Sequence, residues 1–104
     1  MAGARADILR SMVEQNPGDA FARYGLAMEF VNTGDPQAAA EQFRLLLEHN
    51  PNYTAGYFHG GQTLEKLGRT SEAKELYARG IEVARTSGDA HTRAELEGAL
   101  SLLS

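Results

Sequence analysis

Few side chains in this chain are of a kind that does chemistry, and the first to weigh are three histidines, His49, His59 and His91. They never fall one helical turn from one another, and none has a carboxylate at the spacing of a helical His-Glu-x-x-His zinc site. His59 and Glu65 could at most meet across a turn and a half. The chain has no cysteine, which removes thiolate nucleophiles, disulfides and cysteine metal sites together. Gly60-Gly61 falls inside a predicted helix instead of following a strand, so it is not a phosphate loop. The expectation is therefore a protein with no catalytic set, no cofactor and no metal. Recognition is the chemistry that remains. Phe21, Tyr24, Met28 and Val31 recur at spacings of three, four and three, so they share one helix face, about opposite Leu26, Ala27 and Phe30. Such a second apolar stripe either meets a partner or is core, covered by Ile8 and Met12 of the preceding helix.

The elements that must position this stripe repeat. Asn16-Pro17 returns as Asn50-Pro51, 34 residues later. In the same register Gly34 returns as Gly68, Ala39 as Ala73, Phe43 as Tyr77, and Phe30 as the apolar Leu64. A fixed period of this size marks a stack of supersecondary units. Apolar spacing predicts six helices and no strand: 4–15 (Ile8, Leu9, Met12 and Val13 on one face), 20–32, 36–49, 53–67, 70–86 and 90–103. Asp19, Asp35 and Thr70 stand where caps belong, Pro36 where a first helical residue belongs, and Gly34 and Gly68 where helices stop. On the fifth helix Glu75 and Arg79 are expected one turn apart on the solvent face.

This pattern resembles the tetratricopeptide repeat, carried by Leu26-Ala27, Phe30, Ala39, Phe43 and Pro51 in one unit and by Tyr57, Gly60-Gly61, Leu64, Ala73 and Tyr77 in the next. Three departures stand out. Arg23 replaces an aromatic, Gly60 replaces a Leu, and Arg85 replaces a closing Pro, so that the last hairpin should turn late. The gap at Gly60 is to be filled by a neighbour such as Phe58 or Met28, or by a partner's side chain. Gly61 should let two helices touch. The resemblance implies one all-α domain over 1–104, a short α-solenoid of antiparallel hairpins: an N-terminal helix (4–15), repeats at 20–51 and 53–86, and a capping helix (90–103).

It also implies a protein or peptide partner held in a groove lined by the first helix of each hairpin. Phe21, Tyr24, Met28, Val31 and Asn32 would be the groove positions of the first unit. Ala55, Phe58, Gln62, Glu65 and Lys66 would be those of the second, with Thr92, Leu96 and Ala99 as a far wall. Family members that clamp a C-terminal carboxylate use Lys and Asn at places that here hold Tyr24, Met28, Phe58 and Gln62. The implied ligand is apolar or amphipathic instead. Self-pairing of the same stripe into a homodimer is the alternative.

The totals are compatible with this. Ten basic against fourteen acidic residues give a formal charge of −4 with no block of like charge, which argues against nucleic acid or an anionic membrane as partner. Met1 to Ala6 holds no apolar run of the kind a secretory leader needs. The expectation is a cytoplasmic adaptor.

Overall fold

The computed structural model describes residues 3–103, all of whose regular structure is helical. Met1, Ala2 and Ser104, the ends of the expected 1–104 domain, lie outside the described residues. The helices are α1 (Gly3–Gln15), α2 (Ala20–Asn32), α3 (Pro36–His49), α4 (Thr54–Lys66), α5 (Thr70–Ser87) and α6 (Ala90–Ser101). Each packs on its neighbours in sequence, and α4 also touches α6. This is an all-α solenoid of hairpins, α2–α3 and α4–α5, with one helix before and one after.

The punctuation works largely as written. Asp19 accepts from the Ala22 N–H and Asp35 from the Ala38 N–H, at 3.0 and 3.1 Å, each satisfying a donor that an α-helix start leaves open. Gly34, Gly68 and Gly88 adopt φ of +80°, +76° and +77° just past the ends of α2, α4 and α5, where a Cβ would be strained. Thr70 is the exception to the expected caps. Arg69 takes the cap position with no side-chain bond to the helix, and Thr70 is the first helical residue. At the last turn α5 runs 18 residues against 14 for α3. With Arg85 in place of proline nothing stops the helix early, and the final hairpin turns late as expected.

Packing corrects several finer readings. The buried face of α1 is Ala6, Leu9 and Val13, while Ile8 is 62 % and Met12 39 % exposed, so neither covers the α2 stripe. Ala6, Leu9 and Val13 also recur at three and four. Which of two overlapping stripes is buried is decided by where α2 lies, and that the helix alone does not encode. The gap at Gly60 is filled by neither Phe58 nor Met28: a Cβ there would meet Leu76 Cδ2 at 2.9 Å and Phe43 Cβ at 3.3 Å. Side chains from α5 and α3 close over it. Gly61 does let helices touch, for a Cβ on it would overlap the Tyr77 ring of α5. Glu75 and Arg79 are both exposed, but the Arg79 guanidinium lies over the Tyr57 ring, 5.6 Å from its centroid.

Arg23 shows how the repeat tolerates its strongest departure. It is 6 % exposed, in the register position that Tyr57 occupies one repeat later. Tyr57 donates its hydroxyl to the Pro51 carbonyl at 2.7 Å; Arg23 Nη2 donates to the Pro17 carbonyl at 3.2 Å. Both side chains tie helix to preceding turn at the same carbonyl. The arginine also donates from Nη1 to Gln42 Oε1 of α3 at 2.9 Å, yet its Nε has no partner and burial lowers its pKa. A buried cation bonded only to neutral acceptors is a weak arrangement, and an uncharged side chain that keeps the carbonyl bond is a better one. Arg23→Tyr is accordingly expected to raise stability by about 1 kcal/mol, read by urea denaturation. A loss of more than about 1 kcal/mol would mean that the Gln42 bond outweighs the burial of charge.

Candidate functional site

The first helices of the hairpins, α2 and α4, and the final α6 present corresponding positions on one side of the stack. Counting from each helix start, Phe21, Ala55 and His91 are second; Tyr24, Phe58 and Ala94 fifth; Gly25, His59 and Glu95 sixth; Met28, Gln62 and Gly98 ninth. The late turn after α5 matters here. Helix starts are 34 residues apart from α2 to α4 but 36 from α4 to α6. Carrying the period of 34 onto α6 therefore lands on the wrong face. Leu96 and Ala99, expected as a far wall, are buried in the core with Tyr57, Tyr77 and Ala84, while Ala94 and Gly98 are exposed. Thr92 is half-buried at the start of α6, its N–H donating to Asp89.

Of the expected partner residues, Phe21 stands 75 % exposed at the start of α2. Tyr24, Met28 and Val31 are half-buried, resting on Ala27, Ala39, Phe43 and Leu46. Phe58 is half-buried against the Tyr57 and Tyr77 cluster, and Lys66 is exposed in the last turn of α4. Gln62 is exposed, yet it is not free to swing: its Nε2 donates to the Tyr77 hydroxyl at 3.0 Å. That hydroxyl in turn donates to Glu65, and burial followed by the Glu65 bond raises its pKa. Two polar side chains at the α4 end of the face are thus held in place from behind by α5.

Three residues belong to this surface that the stripe pattern did not name. Tyr24 meets Tyr53 and His59 with ring centroids 5.3 and 5.9 Å apart, and His59 meets Phe58 edge-on at 5.2 Å. An aromatic cluster thereby joins α2 to α4. Burial lowers the pKa of His59, opposed by the Glu95 carboxylate; burial raises that of Tyr24, helped by Tyr53 and Glu95. Burial thus disfavours the charged form of His59, and the carboxylate on this side of the rings is Glu95. Counting along the helices finds both, since His59 and Glu95 share the sixth position. Among the described residues no group of three His, Asp or Glu side chains is arranged to hold a metal ion.

The opposite side of the stack carries a cavity of about 410 Å³ between α3 and α5. Its floor is Phe43, Leu47, Leu64 and Leu76, and its rim is charged, with Arg44 bound to Glu41 and Glu48 and Arg69 to Glu72. Most of those charges are already paired with one another. The α2–α4–α6 side differs in carrying an exposed Phe21 and the half-buried Tyr24, Met28 and Phe58.

Comparison with known proteins places the fold. A tetratricopeptide repeat model matches residues 55–87. A TPR repeat-containing protein of Pseudomonas aeruginosa is 28 % identical over 88 residues, which cover 85 % of this chain and 84 % of that one. PcrH, solved in complex with the chaperone binding region of PopD, has the same fold at 16 % identity, with a TM-score of 0.88 over 94 % of this chain and 74 % of that one. The crystal structure of a tetratricopeptide repeat domain protein from Salinibacter ruber is 39 % identical, with a TM-score of 0.78 over 82 % of this chain and 94 % of that one. With that identity over nearly the whole of a named relative, and hairpins in the same 34-residue register, the chain belongs to the tetratricopeptide repeat family.

Proposed function

We propose that the protein is a binding module, not an enzyme, and that its α2–α4–α6 side holds an apolar or amphipathic segment of another protein. The observation that carries this reading is an exposed Phe21 at the end of a half-buried aromatic cluster. Phe21 is 75 % exposed on the same helix face as Tyr24 and Met28, and Tyr24 continues through His59 to Phe58. Contiguous exposed apolar surface on a small protein marks an interface, and aromatic side chains supply most of the energy of such contacts. The tetratricopeptide fold supports a protein partner in general, and PcrH has been solved holding a region of PopD. The partner surface proposed here is Phe21, Tyr24, Met28, Val31, Phe58, Gln62 and Lys66, extended by His59. A cytoplasmic setting, with neither nucleic acid nor a membrane as partner, belongs to the same proposal. Among the described residues no helix is long and apolar enough to cross a membrane.

Affinity capture with three proteins tests it: the native chain, Phe21→Ser/Tyr24→Ser, and Glu75→Arg/Arg79→Glu on the opposite side. Partners that the native chain retains should be lost from the first variant and kept by the second. Loss only from the second would move the site to the α3–α5 cavity. Self-association is the second reading, favoured by the exposure of Ile8 at 62 % together with that of Phe21. Light scattering over a wide concentration range decides it, since a chain that stays monomeric has no such dimer.

A further inference from the structure

We propose that the α2–α4–α6 side selects a segment carrying a basic side chain next to its apolar anchors, received between Glu95 of α6 and the Tyr24 and His59 rings. The inference rests on the binding-module reading above and adds the chemistry of the ligand. Glu95 and His59 are both sixth in their helices, and α4 and α6 pack directly, which sets Glu95 on the same side of the stack as the aromatic cluster. The effect of Glu95 on both Tyr24 and His59 agrees with that placement. Its ion-pair contact is with His91 one turn back, at 3.8 Å, and carries charge only when His91 is protonated. Arginine does not compensate it: Arg93 on the same helix is turned to Glu97 at 3.3 Å. On α4 the cluster is followed by the uncharged Gln62, and Lys66 stands in the last turn of that helix.

The surface therefore offers a carboxylate of 44 % side-chain exposure on the side of these rings, and among the described residues its ion-pair contact is with a histidine, not with a lysine or arginine. An ammonium or guanidinium placed there gains both an ion pair and a ring face, while its apolar neighbours reach Met28 and Phe21. An acidic segment would instead bring like charges together on a chain whose net charge is already −4. Opposite charge at this point thus sets the sign of the ligand, and the aromatic and apolar side chains set where it lies.

The test uses a helical model peptide of leucine and lysine, the same peptide with glutamine at every lysine, and the same with glutamate, titrated by fluorescence anisotropy. The lysine peptide should bind at least about tenfold more tightly than the glutamate peptide. Glu95→Gln should weaken the lysine peptide about fivefold, whereas Glu75→Gln, the same loss of charge on exposed α5, should leave it unchanged. Equal effects of the two variants would overturn the proposal, because the preference would then be for net charge and not for this position. If the glutamine and lysine peptides bind equally and both are lost in Tyr24→Ser, the binding side stands and the role of Glu95 falls. If no peptide binds in a manner that Tyr24→Ser abolishes, both fall.

Discussion

Tyr77→Ala is expected to cost about 4 kcal/mol of folding stability, the upper part of the range for removing a buried aromatic ring. Tyr77 is fully buried and is one of the side chains through which α5 reaches α4. Its ring fills the space over Gly61, and its hydroxyl bonds Gln62 and Glu65. The alanine variant loses ring contacts and leaves a cavity that the helices cannot close without moving against one another. A chain of this size has a total stability on the order of 5–15 kcal/mol, so most of a modest reserve would go, with a fall in Tm of roughly 20 °C. Tyr77→Phe separates the two contributions. It keeps the ring and should cost about 1 kcal/mol for the hydroxyl bonds. Urea denaturation of both variants checks this, and an alanine variant no worse than the phenylalanine one would mean that the ring does not hold the hairpin together.

The second large effect has the opposite chemistry, an added group in place of a missing one. Gly61→Ala and Gly98→Ala are both mid-helix substitutions, and each gains about 1 kcal/mol of helix propensity. At Gly98 nothing lies within 4 Å of the new methyl, and the gain should appear as a more stable protein. At Gly61 the methyl would enter the Tyr77 ring, whose hydroxyl is tied and which has no free space to move into. Overpacking of this kind costs about 3 kcal/mol, so the net expected loss is about 2 kcal/mol. The sign difference between two identical substitutions is the result to look for in thermal denaturation. Gain at both positions would show that α4 and α5 are not in close contact at Gly61.

How much of this was legible in the sequence can be traced residue by residue. The period was, because Asn-Pro pairs, helix-stopping glycines and capping aspartates act locally and their consequences do not depend on distant packing. Gly61 was legible for a related reason, since a glycine inside an apolar helix pattern has few uses other than close approach. The buried face of α1 was not, because two stripes satisfy the same spacing and only the position of α2 chooses between them. Nor was the α6 register. A delay of two residues in one turn rotates every α6 position by about half a helical circumference, and exchanges Leu96 and Ala99 for Ala94 and Gly98. At Gly60 a neighbour does fill the gap, but which one was not legible, because Leu76 and Phe43 come from two other helices. Arg23 was visible as an anomaly, but its bond to the Pro17 carbonyl became intelligible only beside that of Tyr57 to Pro51.

The candidate site divides the same way. Phe21, Tyr24, Met28 and Val31 are an intra-helix pattern and were readable as one. His59, Tyr53 and Glu95 join them through contacts between helices, across sequence separations that no periodicity within one helix reports. The restraint on Gln62 and Glu65 comes from Tyr77, which the sequence showed only as the counterpart of Phe43 one repeat later.

The most direct measurement is amide chemical-shift mapping by NMR on isotopically labelled protein, titrated with the leucine–lysine helical peptide. Binding on the α2–α4–α6 side predicts the largest changes at Phe21, Tyr24, Met28, His59, Gln62 and Glu95, with little at Arg44, Glu75 and Arg79. Changes centred on those last three residues would place recognition in the α3–α5 cavity and contradict the central claim.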